Sequence, residues 1–124
     1  MPPTSDGAPD TPFDMRESPH GPAVVLSLHG ACTMSDADAL GARIMALAGS
    51  SAQVVVLELS DLEFIESTNL GKIVAGYLHL RKKQGDLRVV APQPKIRRLL
   101  ELTRLSTLFG VFDSVADAVA APSR

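Results

Sequence analysis

Tryptophan is missing from this chain, tyrosine occurs once, and aromatic residues make up only 4%. The core therefore has to be built from Val, Leu, Ile and Ala. Cysteine is nearly missing too. A single residue, Cys32, excludes an intrachain disulfide framework and fits a reducing compartment. No run approaches the roughly 18 apolar residues of a membrane-spanning helix. The first residues lack the basic-then-apolar order of a secretory signal. A soluble cytoplasmic protein without membrane insertion is expected. There is no basic excess either. A formal net charge of −2 argues against a dedicated nucleic-acid binder. The one basic cluster, Arg81-Lys82-Lys83, ends a helical pattern, where cations complement the helix dipole. Arg97 and Arg98 suit a solvated helix face.

Recognisable catalytic motifs are absent as well. No Gly-rich run precedes a Lys-Ser or Lys-Thr pair, and neither G-x-G-x-x-G nor G-x-S-x-G occurs. His20, His29 and His79 are far apart in sequence. His29 with Cys32 offers two ligands, too few for a metal site. Cys32 reads instead as a small, partly buried loop residue. Glu58, Asp61, Glu63 and Glu66 cluster, but nothing in their spacing selects an acid–base pair. No catalytic residue, metal or cofactor is therefore assigned, and the chain reads as a non-enzyme.

What remains is a chain of 124 residues with 45% hydrophobic and 21% charged residues, ordinary values for one globular domain. Residues 1–12 carry Pro2, Pro3, Pro9 and Pro12 and read as a disordered tail. A single domain is expected over 13–120, with a short tail at 121–124. Residues 13–17 read as an edge strand. A turn at Pro19, Gly21 and Pro22 leads to a second strand at 23–28. Residues 30–34 read as a loop. Ser35 with Asp38 matches an S-x-x-D cap for a helix carrying Ala37, Leu40, Ile44 and Leu47. Residues 54–59 form the most apolar strand, expected at the centre and covered on both faces. Leu70, Ile73, Val74, Tyr77, Leu78 and Arg81 mark a second helix, with Gly85 as its left-handed terminator. A strand at 87–90 follows. Pro94 then opens a helix with Ile96, Leu99 and Leu100 on its apolar side. Residues 105–108 read as a turn and 111–112 as a last short strand. Ser114 with Asp117 caps a final helix. The order β–β–α–β–α–β–α–β–α predicts an α/β fold. Its sheet would be mixed, mainly parallel, with four to five strands and about four helices packed on it.

The chain is organised around residues 61–71, read as the end of the central strand, a short loop and a helix start. Ser67, Thr68 and Asn69 sit where that helix begins. Small polar side chains there can accept bonds from free backbone N–H groups, and the same place favours a phosphate. From the residues alone, Ser67 is either a helix cap or a site of modification. A phosphate would add about −1.5 to −2 charges.

The runs 24–30 and 54–71, the stretch 85–90, Leu99-Leu100-Glu101-Leu102-Thr103 and Val111-Phe112-Asp113-Ser114 carry a family resemblance, in matching order and spacing. The chain resembles a STAS domain, the fold of bacterial anti-sigma factor antagonists, over about residues 13–120. Antagonists of that family carry Asp-Ser-Ser/Thr-Gly-Leu-Gly at the strand–helix loop, where this chain has Glu66-Ser67-Thr68-Asn69-Leu70-Gly71. By that match Ser67 falls on the phospho-acceptor serine, with Thr68 as the alternative. The resemblance implies a serine-kinase anti-sigma factor as partner, a phosphatase that resets the switch, and release of the kinase upon phosphorylation. The partner-binding set is expected to be Thr33, Met34, Ser60, Asp61, Leu62, Glu66, Ser67, Thr68 and Asn69. The chain departs from the pattern in three places. Glu66 replaces Asp, Asn69 replaces Gly and adds a side chain where a partner approaches, and Arg104 stands where the family often has Gly. A constitutive binding module, such as a subunit of a lipid-transport or stress-signalling complex, is the second expectation. A small hydrolase or nucleotide-binding protein is the third.

Overall fold

The computed structural model describes residues 11–91 and 93–122. Most of the expected N-terminal tail, Pro92 and the last two residues lie outside them. Two strands, β1 (Asp14–His20) and β2 (Ala23–Cys32), open the chain, followed by α1 (Ala37–Ala48) and β3 (Val54–Ile65). Next come α2 (Ser67–Lys82), β4 (Asp86–Val90), α3 (Pro94–Leu102), β5 (Gly110–Phe112) and α4 (Val115–Ala120). Short 3-10 turns at Met34–Asp36 and Leu105–Thr107 precede α1 and β5. The element order is the one the sequence predicts.

The sheet runs β1-β2-β3-β4-β5. β1 pairs antiparallel with β2, and the other pairings are parallel. The β1–β2 hairpin turns at Gly21, whose φ of +63° suits a residue without Cβ. Alternation along the strands divides the core between two faces. Leu26, Leu28, Val55, Leu57, Leu87 and Val89 face α1, α2 and α3, meeting Leu40, Ile44, Ile73, Leu80, Ile96 and Leu100. Val25, Val56 and Val90 face the other way and are covered by Ala118, Val115 and Val119 of α4. The central strand is thus buried on both faces, as its composition predicts. With few aromatics, ring packing is sparse: Tyr77 and Phe109 meet edge to face at 5.5 Å. On the α4 face Arg88 is buried with Asp86, Nε to Oδ2 3.1 Å. Arg88 also donates to the carbonyls of Ala118 and Pro122, tying the end of α4 to the sheet.

Several local expectations are corrected. β3 continues to Ile65, well past residue 59, because Leu62 and Ile65 keep a buried face. Twice along β2–β3 the β3 strand advances one residue more than its partner, between Glu58 and Asp61 and between Leu62 and Phe64. These bulges conceal the alternation in the sequence. β2 likewise runs on through Cys32, so residues 30–32 are strand and not loop. The α1 region is not opened by Ser35 and Asp38. Asp36 accepts from the N–H of Thr33 at 2.9 Å and from its hydroxyl at 3.1 Å, two residues earlier in each position. Leu78, expected on the apolar stripe of α2, is exposed, and Leu80 is buried in its place. The left-handed residue after α2 is Gln84, at φ 66°, not Gly85. Gly85 is required for another reason: a Cβ there would stand 2.6 Å from the carbonyl oxygen of Gln53. The cap of α4 is as expected, with the Ser114 hydroxyl accepting from Asp117 N–H at 3.1 Å.

Candidate functional site

β3 and α2 are separated by one residue, Glu66, in extended conformation at φ −84°, ψ 154°. Glu66 is therefore the N-cap residue and Ser67 the first residue of the helix. This corrects the capping role expected of Ser67. Its hydroxyl is exposed, and α2 has no side-chain cap. Thr68 is exposed beside it. The first turn of a helix has N–H groups without intrahelical acceptors, so the surroundings of Ser67 are electropositive.

The loop is tied to the turn after β2. Glu66 N–H donates to Cys32 O at 3.1 Å. The Glu66 carboxylate accepts from Met34 N–H at 2.7 Å. The Asn69 amide donates to Cys32 O at 3.1 Å and to Thr33 O at 2.9 Å. Asn69 is 0% exposed, and its Oδ1 is buried without a partner among the described residues. The side chain that replaces the expected Gly therefore points inward. It adds no bulk to the exposed surface beside Ser67 and Thr68.

The nine residues expected at a partner surface are brought to one end of the sheet but divide by exposure. Met34, Ser60, Asp61, Ser67 and Thr68 are exposed, Thr33 and Glu66 are half-buried, and Leu62 and Asn69 are buried. The two buried ones support the surface from beneath. Met34 is an apolar side chain left 62% exposed in the turn after β2. Asp61 faces His29, Oδ2 to Nδ1 3.3 Å, so His29 is turned to a carboxylate. Ser60 donates its hydroxyl to Glu58.

Cys32 is not a loop residue but the fully buried end of β2. Burial, followed by the nearby Asp36 and Glu66 carboxylates, pushes its thiol up to about 12. Such a thiol is a poor nucleophile. Among the described residues, no three His, Cys, Asp or Glu side chains are grouped to hold a metal ion. No described helix is long and apolar enough to cross a membrane.

The sequence reading missed Gln93. β4 pairs with β3 only up to Glu58, which leaves the carbonyls beyond it on an open edge. The Gln93 amide donates to Leu59 O at 2.6 Å, Ser60 O at 3.1 Å and Leu62 O at 3.1 Å. Lys95 donates to Glu63 O at 2.7 Å. Buried carbonyls need such partners, so an amide side chain flanked by prolines was the available clue.

The profile of the STAS domain matches residues 14–118. An anti-sigma F factor antagonist of Paenibacillus polymyxa is 31% identical over 65 residues, which cover 52% of this chain and 56% of the relative. The match thus spans about half the length of that relative. The crystal structure of an anti-sigma factor antagonist from Mycobacterium paratuberculosis superposes with a TM-score of 0.81 at 31% identity. That superposition covers 90% of this chain and 95% of the other. The Bacillus cell fate determinant SpoIIAA, solved in its phosphorylated form, shares the fold alone. It superposes with a TM-score of 0.67 at 17% identity, covering 87% of this chain and 96% of that one.

Proposed function

The chain belongs to the STAS family, and on that premise we propose that it is a cytoplasmic anti-sigma factor antagonist acting by binding and not by catalysis. Its partner is a serine-kinase anti-sigma factor, docked on the face formed by Met34, Ser60, Asp61, Ser67 and Thr68, with Thr33 and Glu66 at its floor. Neither nucleic acid nor membrane insertion enters this reading. The observation that carries it is Ser67 itself, an exposed hydroxyl on the first turn of α2 that caps nothing.

The kinase passes the γ-phosphoryl group of ATP to Ser67 Oγ. The hydroxyl proton is lost and ADP leaves. The new group adds about −1.5 to −2 charges and three acceptor oxygens. At a helix start the fold tolerates these, because N–H groups there lack intrahelical acceptors. A docked partner has to desolvate the same charge, and about 1.4 kcal/mol of difference already changes affinity tenfold. The partner is then released, and a phosphatase restores the serine by hydrolysis.

Incubation with a serine-kinase anti-sigma factor from the same genome and MgATP, followed by mass spectrometry, tests this reading. One phosphate on Ser67 is expected, absent in Ser67→Ala and retained in Thr68→Ala. No phosphate, together with unchanged partner binding by Ser67→Ala, would remove the switch and leave a constitutive binding module.

A further inference from the structure

We propose that Glu66 is a positioning residue that holds the Met34–Asp36 turn against the start of α2, and that a phosphate on Ser67 releases this turn. The proposal rests on the reading of Ser67 given above and adds how the modification reaches a second loop.

Besides the backbone bond from Glu66 N–H to Cys32 O, two side-chain arms cross from the start of α2 to residues 32–34, and they differ in kind. The inner arm is Asn69, fully buried and neutral, donating to the carbonyls of Cys32 and Thr33. The outer arm is Glu66, half-buried and anionic, accepting from Met34 N–H at 2.7 Å. Only the outer arm carries charge, and it is adjacent in sequence to the exposed Ser67. A dianion on that neighbour repels the Glu66 carboxylate. The inner arm is neutral and shielded, so it keeps Thr33 in place. The expected response is therefore local. The Met34 N–H loses its acceptor, and the 62% exposed Met34 side chain loses its fixed presentation. Asp36 limits the movement, because it holds Thr33 N–H at 2.9 Å independently of Glu66. A single phosphate would thus alter both the charge of the partner face and the presentation of its exposed Met34 side chain.

Phosphoserine installed at position 67 by genetic encoding tests the relay without relying on any kinase. Hydrogen exchange and the chemical shift of the Met34 amide are read by NMR in the wild type, Glu66→Ala and Glu66→Gln, each with Ser67 or phosphoserine. In the unmodified wild type the amide is expected to be protected. Exchange should rise about tenfold in Glu66→Ala and in phosphorylated wild type, the scale set by loss of a local hydrogen bond. Glu66→Gln keeps an acceptor oxygen but no charge, so its Met34 amide should stay protected in both states. The relay is overturned if phosphoserine leaves the wild-type amide unchanged, or if Glu66→Gln responds to phosphate as the wild type does. Failure of a kinase to modify Ser67 would count against the earlier reading only, since the phosphate here is encoded.

Discussion

The amide of Asn69 donates to the carbonyl of Thr33 at 2.9 Å, joining the first turn of α2 to the end of β2 from inside the protein. Asn69→Ala removes this bond and its companion to Cys32, while Cys32 O keeps the Glu66 N–H and Thr33 O keeps the Asp36 N–H. A loss of about 1–3 kcal/mol is expected from urea denaturation. Asn69→Asp is expected to lose more than Asn69→Ala, because a carboxylate there would set acceptor against acceptor in a buried place.

Arg104 is held at φ 64°, a left-handed conformation that costs an L-residue roughly 1–2 kcal/mol. Glycine adopts it without that cost but loses more chain entropy on folding. Arg104→Gly is therefore expected to stabilise the protein by about 0.5–1 kcal/mol, read as a higher midpoint in urea with an unchanged slope. This geometry also accounts for the Gly that the family resemblance leads one to expect at this position.

The α/β class, the order of elements and the position of Ser67 were legible in the sequence, because hydrophobic period and punctuation specify them directly. What was not legible depended on tertiary pairing. The far half of β3 read as loop because two bulges break its alternation, although Leu62 and Ile65 are buried. Ser67 read as a cap because Ser is a good N-cap residue, but the strand runs to Ile65 and places Glu66 at that position. Gln93 was silent, since its role is to serve carbonyls some thirty residues away. The inward turn of Asn69 depended on the carbonyls of Cys32 and Thr33, which no local pattern brings together.

Cys32 gives a pH dependence with a definite sign. Its thiol is raised from 9.0 to about 12 by burial first and by Asp36 and Glu66 next. Above the lower value the unfolded chain has lost a proton that the folded chain keeps, so stability falls as pH rises through this window. Below it the contribution is fully present. Denaturation midpoints measured from pH 8 upward should fall more steeply in the wild type than in Cys32→Ala. In the native protein at pH 8, iodoacetamide should label Cys32 only as fast as the chain unfolds.

Gln93→Ala tests the open edge of β3. One amide group has two hydrogens, yet it serves the carbonyls of Leu59, Ser60 and Leu62, so one of them is shared. Its removal should cost about 1–2 kcal/mol. Hydrogen exchange should rise locally over residues 59–63, while residues 54–58, paired with β4, keep their protection.

The central claim concerns a partner face whose affinity is set by one phosphate. Isothermal titration of a serine-kinase anti-sigma factor with unmodified and Ser67-phosphorylated protein tests it most directly. Binding at least about tenfold weaker for the phosphorylated form is predicted, corresponding to about 1.4 kcal/mol. Equal affinity of the two forms would contradict it.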